Sequence, residues 1–285
     1  TVQSGLVINE VDYDNIGTDS DEFVEIYNGT GAPVNLTGYQ LVLVHGVLCD
    51  HSVWLLQSRY LAHHGWNVLA VDLPGHCKSA GAPPATVQAG AAFVKALLDA
   101  MDIKHAALVG HSFGSLICLQ AASDLGERVT HLALVGTAYP MQVSQALLDA
   151  SRDTPAKALQ MTNVFSRATL APPSGAGSWV FGASLALGRR VLASNTSVNV
   201  FFTGFNACNS YDQGLEAMAA VKCPVLMVLG DADQMTTPKG AQPLIKHAKE
   251  SGIALQVVMI PHGHHQMSES PDETLDALKA FLSGT

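Results

Sequence analysis

A serine, two aspartates and three histidines stand where nucleophilic catalysis could be built in this chain of 285 residues. Ser112 lies in the hexapeptide GHSFGS (110–115), between two apolar runs. A serine hydroxyl attacks a carbonyl efficiently when a base removes its proton and an acid orients that base. Candidate acids and bases follow later apolar runs: Asp231 and Asp233, then His262, His264 and His265. The residue types indicate acyl transfer through a serine, with the choice of acid and base still open.

The pattern Gly-x-Ser-x-Gly at 110–114 is typical of a tight turn between a strand and a helix. Side chains at Gly110 and Gly114 would collide with neighbouring elements in such a turn. The turn lifts the serine above the sheet and directs N–H groups at a helix start toward a developing oxyanion. The pattern alone is short. The run AALVG before it and the segment SLICLQAA after it favour this turn over a plain Gly-rich connection.

Short β-branched runs that alternate with helical patterns are the elements that must position these residues. Unbroken apolar runs suit strands covered on both faces, so the alternation predicts a parallel sheet with helices on both sides. The carboxyl ends of such strands are where open α/β sheets place their sites. The runs are LVLV (41–44), NVLAVDL (67–73), AALVG (106–110), HLALVG (131–136), PVLMVLG (224–230) and LQVVMI (255–260).

One long stretch interrupts the alternation. Residues 138–213 contain helical patterns such as MQVSQALLDASRD and no clear strand. We therefore expect a helical cap at 138–213, inserted into a core made of 1–137 and 214–285. Large apolar residues of this stretch could line a pocket or form the core of the cap: Met141, Met161, Phe165, Trp179, Phe181, Phe201, Phe202 and Phe205.

From about residue 40 to 285 the chain resembles the α/β-hydrolases, in particular the capped serine esterases. Five motifs in the same order carry this resemblance. They are His45-Gly46 after LVLV, VDLPGH (71–76), the serine turn at 110–114, Gly230-x-x-Asp233 with Pro238, and Gly263-His264 with Glu269 and Pro271.

The resemblance implies an α/β fold of the α/β-hydrolase type, with a mostly parallel eight-stranded sheet flanked by helices and an inserted helical cap. It assigns the nucleophile to Ser112, the acid to Asp233 and the base to His264. It places the oxyanion hole at the backbone N–H groups of Val47 and Phe113. The implied reaction is hydrolysis of carboxylic esters of small to medium size through an acyl-enzyme, without a cofactor.

Several alternatives stay open beside this interpretation. Carbon–carbon bond hydrolysis, lactone opening and perhydrolysis use the same triad, and a non-catalytic binding protein could keep the same fold. The histidine cluster at 262–265 could suggest a metal, but its members share one loop and one of them is claimed by the triad. We expect no metal, Asp231 as a solvated carboxylate, and His262 and His265 as flanking polar residues.

Composition and charge exclude several classes of protein. The net charge of −9 disfavours nucleic-acid binding, and no apolar run reaches the roughly 18 residues of a membrane span. The five cysteines are scattered, which favours reduced thiols. The N-terminus has no basic region followed by an apolar one, so we expect a cytoplasmic protein; secretion stays open if a signal has been removed. The oligomeric state is left open.

The first 44 residues differ in composition from the rest, because they contain seven acids and no Lys or Arg. The stretch 5–44 resembles the opening of a lamin-tail domain, an immunoglobulin-like sandwich. INEV (8–11), EFVEIYN (22–28) and LTGY (36–39) carry this resemblance. About 40 residues are too few to close a sandwich, which is consistent with a natural or artificial fusion. We expect 1–44 to pair onto the sheet edge and supply its first strands.

Overall fold

The computed structural model describes residues 6–11, 24–28, 40–168 and 176–284, with the backbone alone described for 6–11, 24–28 and 176–181. The strands are β1 (Leu6–Val11), β2 (Val24–Asn28), β3 (Gln40–Val44), β4 (Asn67–Val71), β5 (Ala106–His111), β6 (Val129–Val135), β7 (Val225–Gly230) and β8 (Leu255–Ile260). The helices are α1 (Leu55–His63), α2 (Val87–Ala100), α3 (Phe113–Leu125), α4 (Gln145–Asp153), α5 (Pro155–Phe165), α6 (Ala176–Ser194), α7 (Val200–Ser210), α8 (Gly214–Ala220), α9 (Gln242–Glu250), α10 (Gln266–Glu269) and α11 (Pro271–Leu282).

Six of these strands form one parallel sheet in the order β4-β3-β5-β6-β7-β8. Every residue of β3, β5 and β7 is buried, because helices cover both faces of the sheet. This burial explains why those strands are continuous apolar runs rather than alternating ones. The predicted mostly parallel sheet flanked by helices is confirmed.

Two apolar clusters hold the helices on the sheet. One cluster joins α2, α3, α8 and α9 to one face, through residues such as Leu98, Ile117 and Met218. The other joins α1 and α11 to the opposite face, through residues such as Leu61 and Leu278. The strands are parallel, so their carboxyl ends lie along one edge of the sheet. The loops that follow β3, β5, β7 and β8 therefore meet at that edge.

The expected strand count is wrong, since the sheet has six strands and not eight. β1 and β2 pair antiparallel with each other, from Leu6 opposite Asn28 to Val11 opposite Val24, and form a separate two-stranded sheet. In an antiparallel pair, the facing backbone N–H and C=O groups of the two strands bond to each other. β1 and β2 can therefore pair without hydrogen bonds to the larger sheet. Of the residues expected to supply the first strands, those of β3 lie inside the larger sheet, between β4 and β5. The expectation that 1–44 pairs onto the sheet edge stays a prediction. The lamin-tail resemblance stays a prediction, because most of its residues lie outside the described ones.

Five helices, α4 to α8, separate β6 from β7. Local signals explain where they begin: the side chains of Ser144 and Asn199 accept hydrogen bonds from the first turns of α4 and α7, and Pro155 opens α5. Residues of α4 to α7 share an apolar cluster of their own, which also includes Leu48 from the loop after β3. The division of the chain at 138–213 stays a prediction.

The described residues include no helix long and apolar enough to cross a membrane. The five cysteines are free thiols, and four of them are buried.

Candidate active site

The turn between β5 and α3 holds Ser112 in an uncommon backbone conformation. Its φ is 53° and its ψ is −118°, in the region that residues other than glycine rarely adopt. Such strain persists where the surroundings determine the conformation, and it is frequent at active sites. Here a Cβ on Gly110 would overlap the carbonyl of Gly114, and one on Gly114 would overlap the carbonyl of Val44. The two glycines therefore allow β5 and α3 to approach closely enough to form the turn.

Hydrogen bonds fix the backbone on both sides of the serine. The Ser112 N–H donates to the carbonyl of Val135 on the neighbouring strand, at 3.0 Å. The carbonyl of Ser112 accepts from the N–H of Ser115 at 2.8 Å, and the Ser115 Oγ lies 2.5 Å from the same carbonyl oxygen. Ser115 Oγ is also 2.9 Å from Thr137 Oγ1. The side chain of Ser115 thus links the serine turn to the loop after β6.

Asp233 and His264 form a buried pair at the ends of β7 and β8. His264 Nδ1 lies 2.8 Å from Asp233 Oδ2, and the two side chains are 6% and 0% exposed. The other carboxylate oxygen accepts from the N–H groups of Met235 at 2.8 Å and Thr236 at 2.9 Å. Burial by itself would raise the pKa of the Asp233 carboxyl, but His264 and the hydrogen bonds from Thr236 outweigh it and hold this pKa below its usual value. Asp233 is therefore an anion that orients the imidazole.

The other candidate acids and bases have different surroundings. Asp231 is exposed and accepts from the N–H of His262 at 3.1 Å. His262 is also exposed, and its Nδ1 lies 2.7 Å from Ser270 Oγ. His265 borders the same cavity as Ser112. Burial holds the pKa of His265 well below its usual value, and the positive charge of Arg167 lowers it further. Asp231 and His262 therefore lie outside this cavity, whereas His265 forms part of its wall.

Ser112 and His264 border one small cavity of about 60 Å³. The serine turn and the histidine loop contribute part of its lining. Its apolar walls come from the loop after β3 and from α5, α6 and α7, through residues including Leu48, Leu159, Leu187, Phe201 and Phe205. Of the large residues singled out at 138–213, Phe201 and Phe205 border the cavity, whereas the side chains of Trp179 and Phe181 lie outside the described residues. The cavity is therefore mostly apolar, and Ser112 and His264 are among the polar residues that border it.

The loop after β3 approaches the serine from the other side. A Cβ on Gly46 would lie 3.1 Å from the Ser112 Cβ, and the next residue, Val47, borders the cavity. Phe113 is the first residue of α3, and the first N–H groups of a helix have no acceptor within the helix. The structure thus places the Val47 and Phe113 backbones beside Ser112, at the positive end of the α3 dipole.

His45 holds this loop in place. It is fully buried; its Nδ1 is 2.8 Å from the Gly46 carbonyl, and its Nε2 accepts from the Leu73 N–H at 3.0 Å. Burial, with a smaller effect of His76, lowers the pKa of His45 to about 4. The ring is therefore neutral and carries its proton on Nδ1, because Nε2 is an acceptor.

Sequence reasoning missed His111, the residue before the serine. Its Nε2 is 2.8 Å from the backbone carbonyl of His264, and its Nδ1 has no hydrogen-bond partner among the described residues. Burial, with a contribution from His264, lowers the pKa of His111 to about 3. The signal available in the sequence was a histidine between Gly110 and Ser112, a position that the turn pattern leaves undefined.

One group of side chains in the described part of the chain could hold a metal ion, and it lies apart from the serine. Ligand atoms of Asp50, His51 and Asp72 lie within 4.8 Å of one another. Asp50 is already paired with Arg190 at 2.5 Å, and Asp72 with His51 at 2.8 Å. These carboxylates have protein partners, so the group is an ion-pair network.

Comparison with known proteins decides the family. The family model described as alpha/beta hydrolase fold matches residues 39–271. The chain belongs to the alpha/beta hydrolase fold family. The resemblance carried by the five motifs is thereby confirmed, and residues 1–38 lie outside the match.

Two curated relatives cover this α/β-hydrolase to different extents. The (E)-2-((N-methylformamido)methylene)succinate hydrolase of Acinetobacter baylyi is 24% identical over 87% of this chain and 92% of its own. The dihydrolipoyllysine-residue acetyltransferase component of the acetoin cleaving system of Pseudomonas putida is 42% identical over 35% of this chain, a match that spans 27% of that protein.

Solved structures share the fold at low sequence identity. An esterase from Exiguobacterium antarcticum has a TM-score of 0.73 and 17% identity, with coverage of 87% of this chain and 92% of its own. The enol-lactonase from Burkholderia xenovorans has a TM-score of 0.72 and 21% identity, with coverage of 86% and 91%. At this level of identity, the two structures support the fold that the family match indicates.

Proposed function

We propose that this α/β-hydrolase is a serine esterase that cleaves carboxylic esters of small to medium size through an acyl-enzyme. One observation carries the proposal. The buried pair of His264 and Asp233 opens on the same cavity as Ser112, which stands on a strained turn at the start of a helix. Acyl transfer requires a nucleophile, a base and an acid that orients the base. The three residues follow one another along the chain as serine, aspartate and histidine, the order typical of this fold.

In the proposed first step, Ser112 Oγ attacks the acyl carbonyl while His264 takes the hydroxyl proton. Asp233 keeps the imidazole in the required tautomer and stabilises the imidazolium. The N–H groups of Val47 and Phe113 stabilise the negative charge that develops on the carbonyl oxygen. His264 then gives its proton to the leaving alcohol, and Ser112 remains acylated.

In the second step, water attacks the acyl-enzyme with His264 again as the base. The alcohol leaves first and the acid second, which regenerates the serine hydroxyl. Neither step uses a group that the chain lacks, so the proposed partner is a small-molecule ester alone, without a cofactor or nucleic acid.

We assign substrate selection to 138–213 as a helical cap. Residues of α4 to α7 share an apolar cluster, and α7 also contributes Ala207 and Cys208 to one of the clusters on the sheet. Helices α5, α6 and α7 contribute walls to the cavity. A cap of this kind shields the reacting carbonyl from bulk solvent, while the cavity still admits the water that hydrolyses the acyl-enzyme. The small cavity favours short acyl chains.

Lactone opening is the second candidate for this site. A lactone is a cyclic ester, so the same attack and proton transfers open it, and one structural neighbour is an enol-lactonase. Carbon–carbon hydrolysis and perhydrolysis stay alternatives on the same residues.

Labelling with a fluorophosphonate, followed by a substrate panel, tests the proposal. Only an activated serine reacts rapidly with this probe. We expect labelling of the native protein and of the Ser58→Ala control, which changes a serine on α1, and no labelling of Ser112→Ala. Nitrophenyl esters of increasing chain length should then be hydrolysed, the short ones fastest. Absence of labelling together with absence of turnover would mean that the protein is a binding module.

A further inference from the structure

Two hydroxyl groups in the lining of the cavity can donate hydrogen bonds to a bound molecule. Ser166 is 2% exposed and borders the cavity, and its Oγ has no hydrogen-bond partner among the described residues. Ser184 also borders the cavity, and its Oγ accepts a hydrogen bond from Nη2 of Arg167. A hydroxyl that accepts such a bond keeps its own proton available. Both hydroxyls can therefore donate to a molecule in the cavity.

A buried arginine, Arg167, contacts the Ser184 hydroxyl from outside the cavity lining. The Arg167 side chain is 5% exposed, and its Nε–H has no acceptor in the described part of the chain. Nη1 reaches Ser268 Oγ at 3.4 Å, a long hydrogen bond. A guanidinium keeps its charge even where burial lowers its pKa, as it does here. The two hydroxyl donors in the lining are therefore accompanied by a buried positive charge.

Glu269 only partly balances this charge. Its carboxylate stands 4.0 Å from Nη1, beyond hydrogen-bond distance, and its oxygens accept from the N–H groups of Gly263 at 3.0 Å and Ala168 at 3.3 Å. These backbone groups are the main hydrogen-bonding partners of Glu269. Burying a guanidinium with unmet donors is costly, so a site with this composition favours an anionic acceptor.

We propose that Ser166 and Ser184, with Arg167 behind Ser184, bind a carboxylate of the substrate, so that the preferred substrates are half-esters or lactones of dicarboxylic acids. The two hydroxyls donate to the carboxylate, and the guanidinium behind Ser184 supplies the opposing charge. This inference rests on the proposed function, because the reacting acyl group must reach Ser112, which borders the same cavity.

Two isosteric esters test the inference. Methyl hydrogen succinate and methyl butanoate differ by a carboxylate in place of a methyl group, and their hydrolysis can be followed by titration of the acid released. We expect the native protein to have the higher kcat/KM with methyl hydrogen succinate. The Arg167→Met variant should lower the ratio of the two kcat/KM values by about tenfold or more. The matched control Arg189→Met removes an exposed charge from α6 and should leave the ratio unchanged.

The ratio separates a substrate contact from a structural ion pair. If Arg167→Met lowers both kcat/KM values equally, or if the native protein prefers methyl butanoate, the inference is wrong. Should Arg167→Met fail to fold, Ser166→Ala decides in its place: its hydroxyl has no partner to lose, and an unchanged ratio in this variant overturns the inference.

Binding of succinate distinguishes failure of the inference from failure of the proposed function. Succinate should raise the Tm of Ser112→Ala, which cannot turn over an ester, and should do so less when Ser166→Ala is added. No hydrolysis of either ester combined with a rise in Tm would refute the esterase and keep the carboxylate site. Hydrolysis without any rise in Tm would keep the esterase and refute the site.

Discussion

His111 Nε2 donates a hydrogen bond of 2.8 Å to the backbone carbonyl of His264, so the residue before the candidate nucleophile holds the loop of the candidate base. The two residues are 153 positions apart in the chain. His111 Nε2 is the donor in this bond, because a carbonyl oxygen only accepts. His264 N–H in turn donates to the Ser166 carbonyl at 2.8 Å. The base is thus held from both sides through its backbone.

Replacement of His111 should therefore reduce catalysis more than folding. His111→Leu removes the donor to the His264 carbonyl, and we expect kcat/KM to fall by about 10- to 100-fold through misplacement of the base. His111→Gln can still donate from its amide and should lose less. Ester kinetics and Tm of both variants check this. If His111→Leu lowers Tm and leaves kcat/KM unchanged, His111 has a structural role alone.

Substitutions in the proposed triad should separate His264 from its neighbour. Ser112→Ala and His264→Ala should each lower kcat by several orders of magnitude with the fold intact, because triad members act as a unit. Asp233→Asn should cost less. His262→Ala is the matched control and should keep ester turnover, since that ring is exposed and bound to Ser270. The reverse result, with His264→Ala active and His262→Ala inactive, would contradict the assignment.

The positions of these residues were predictable because each follows an apolar run that forms a strand of the parallel sheet. AALVG corresponds to β5, which extends one residue further to His111, and Asp233 and His264 follow β7 and β8 as expected. Parallel strands bring such loops to one edge, so order along the chain was enough to place them.

Long-range partners were not predictable in the same way. The hydrogen bond from His111 to the His264 carbonyl depends on how two loops meet, and nothing in GHSFGS indicates that contact. The polar residues at the cavity were missed for a similar reason, because Ser166, Arg167 and Ser184 belong to no motif. Strands were expected within 1–44, but the sequence could not identify the partner of β1 and β2, since any strand can supply the same backbone ladder.

A methyl group at Gly46 should impair the site without unfolding the protein. A Cβ there would lie 2.9 Å from His111 Nδ1 and 3.1 Å from the Ser112 Cβ, closer than ordinary contacts. Because one side must shift, we expect Gly46→Ala to lower kcat/KM by about tenfold or more. Gly182→Ala on α6 is the control: a Cβ there meets no atom of the described residues within 4 Å, and alanine favours the helix. Equal kinetics for the two variants would mean that the loop after β3 adjusts freely.

The buried histidines should make the protein less stable as the pH falls. Burial lowers the pKa of His111 to about 3 and that of His45 to about 4, from 6.5 in the unfolded chain. Between those values the unfolded chain binds protons that the folded one does not, so the free energy of unfolding decreases as the pH drops below about 6.5. Urea unfolding at about pH 7 and about pH 5 measures this difference.

A variant identifies the groups responsible for that pH dependence. His111→Gln removes one titrating group and should reduce the difference between the two pH values, whereas His63→Gln changes an exposed ring and serves as the control. An equal reduction in both variants would show that buried histidines are not the cause.

Removal of residues 1–38 should leave an active hydrolase. The family match begins at residue 39, and the six-stranded sheet contains no strand from before β3. β1 and β2 pair with each other, so their loss takes no hydrogen bond from that sheet. We expect the shortened protein to unfold cooperatively and to keep the native kcat/KM with short esters. Limited proteolysis of the full chain should likewise leave an active fragment that starts near Gln40. Aggregation or loss of activity in the shortened protein would mean that the acidic segment covers the open edge of β4, as the sequence alone suggested.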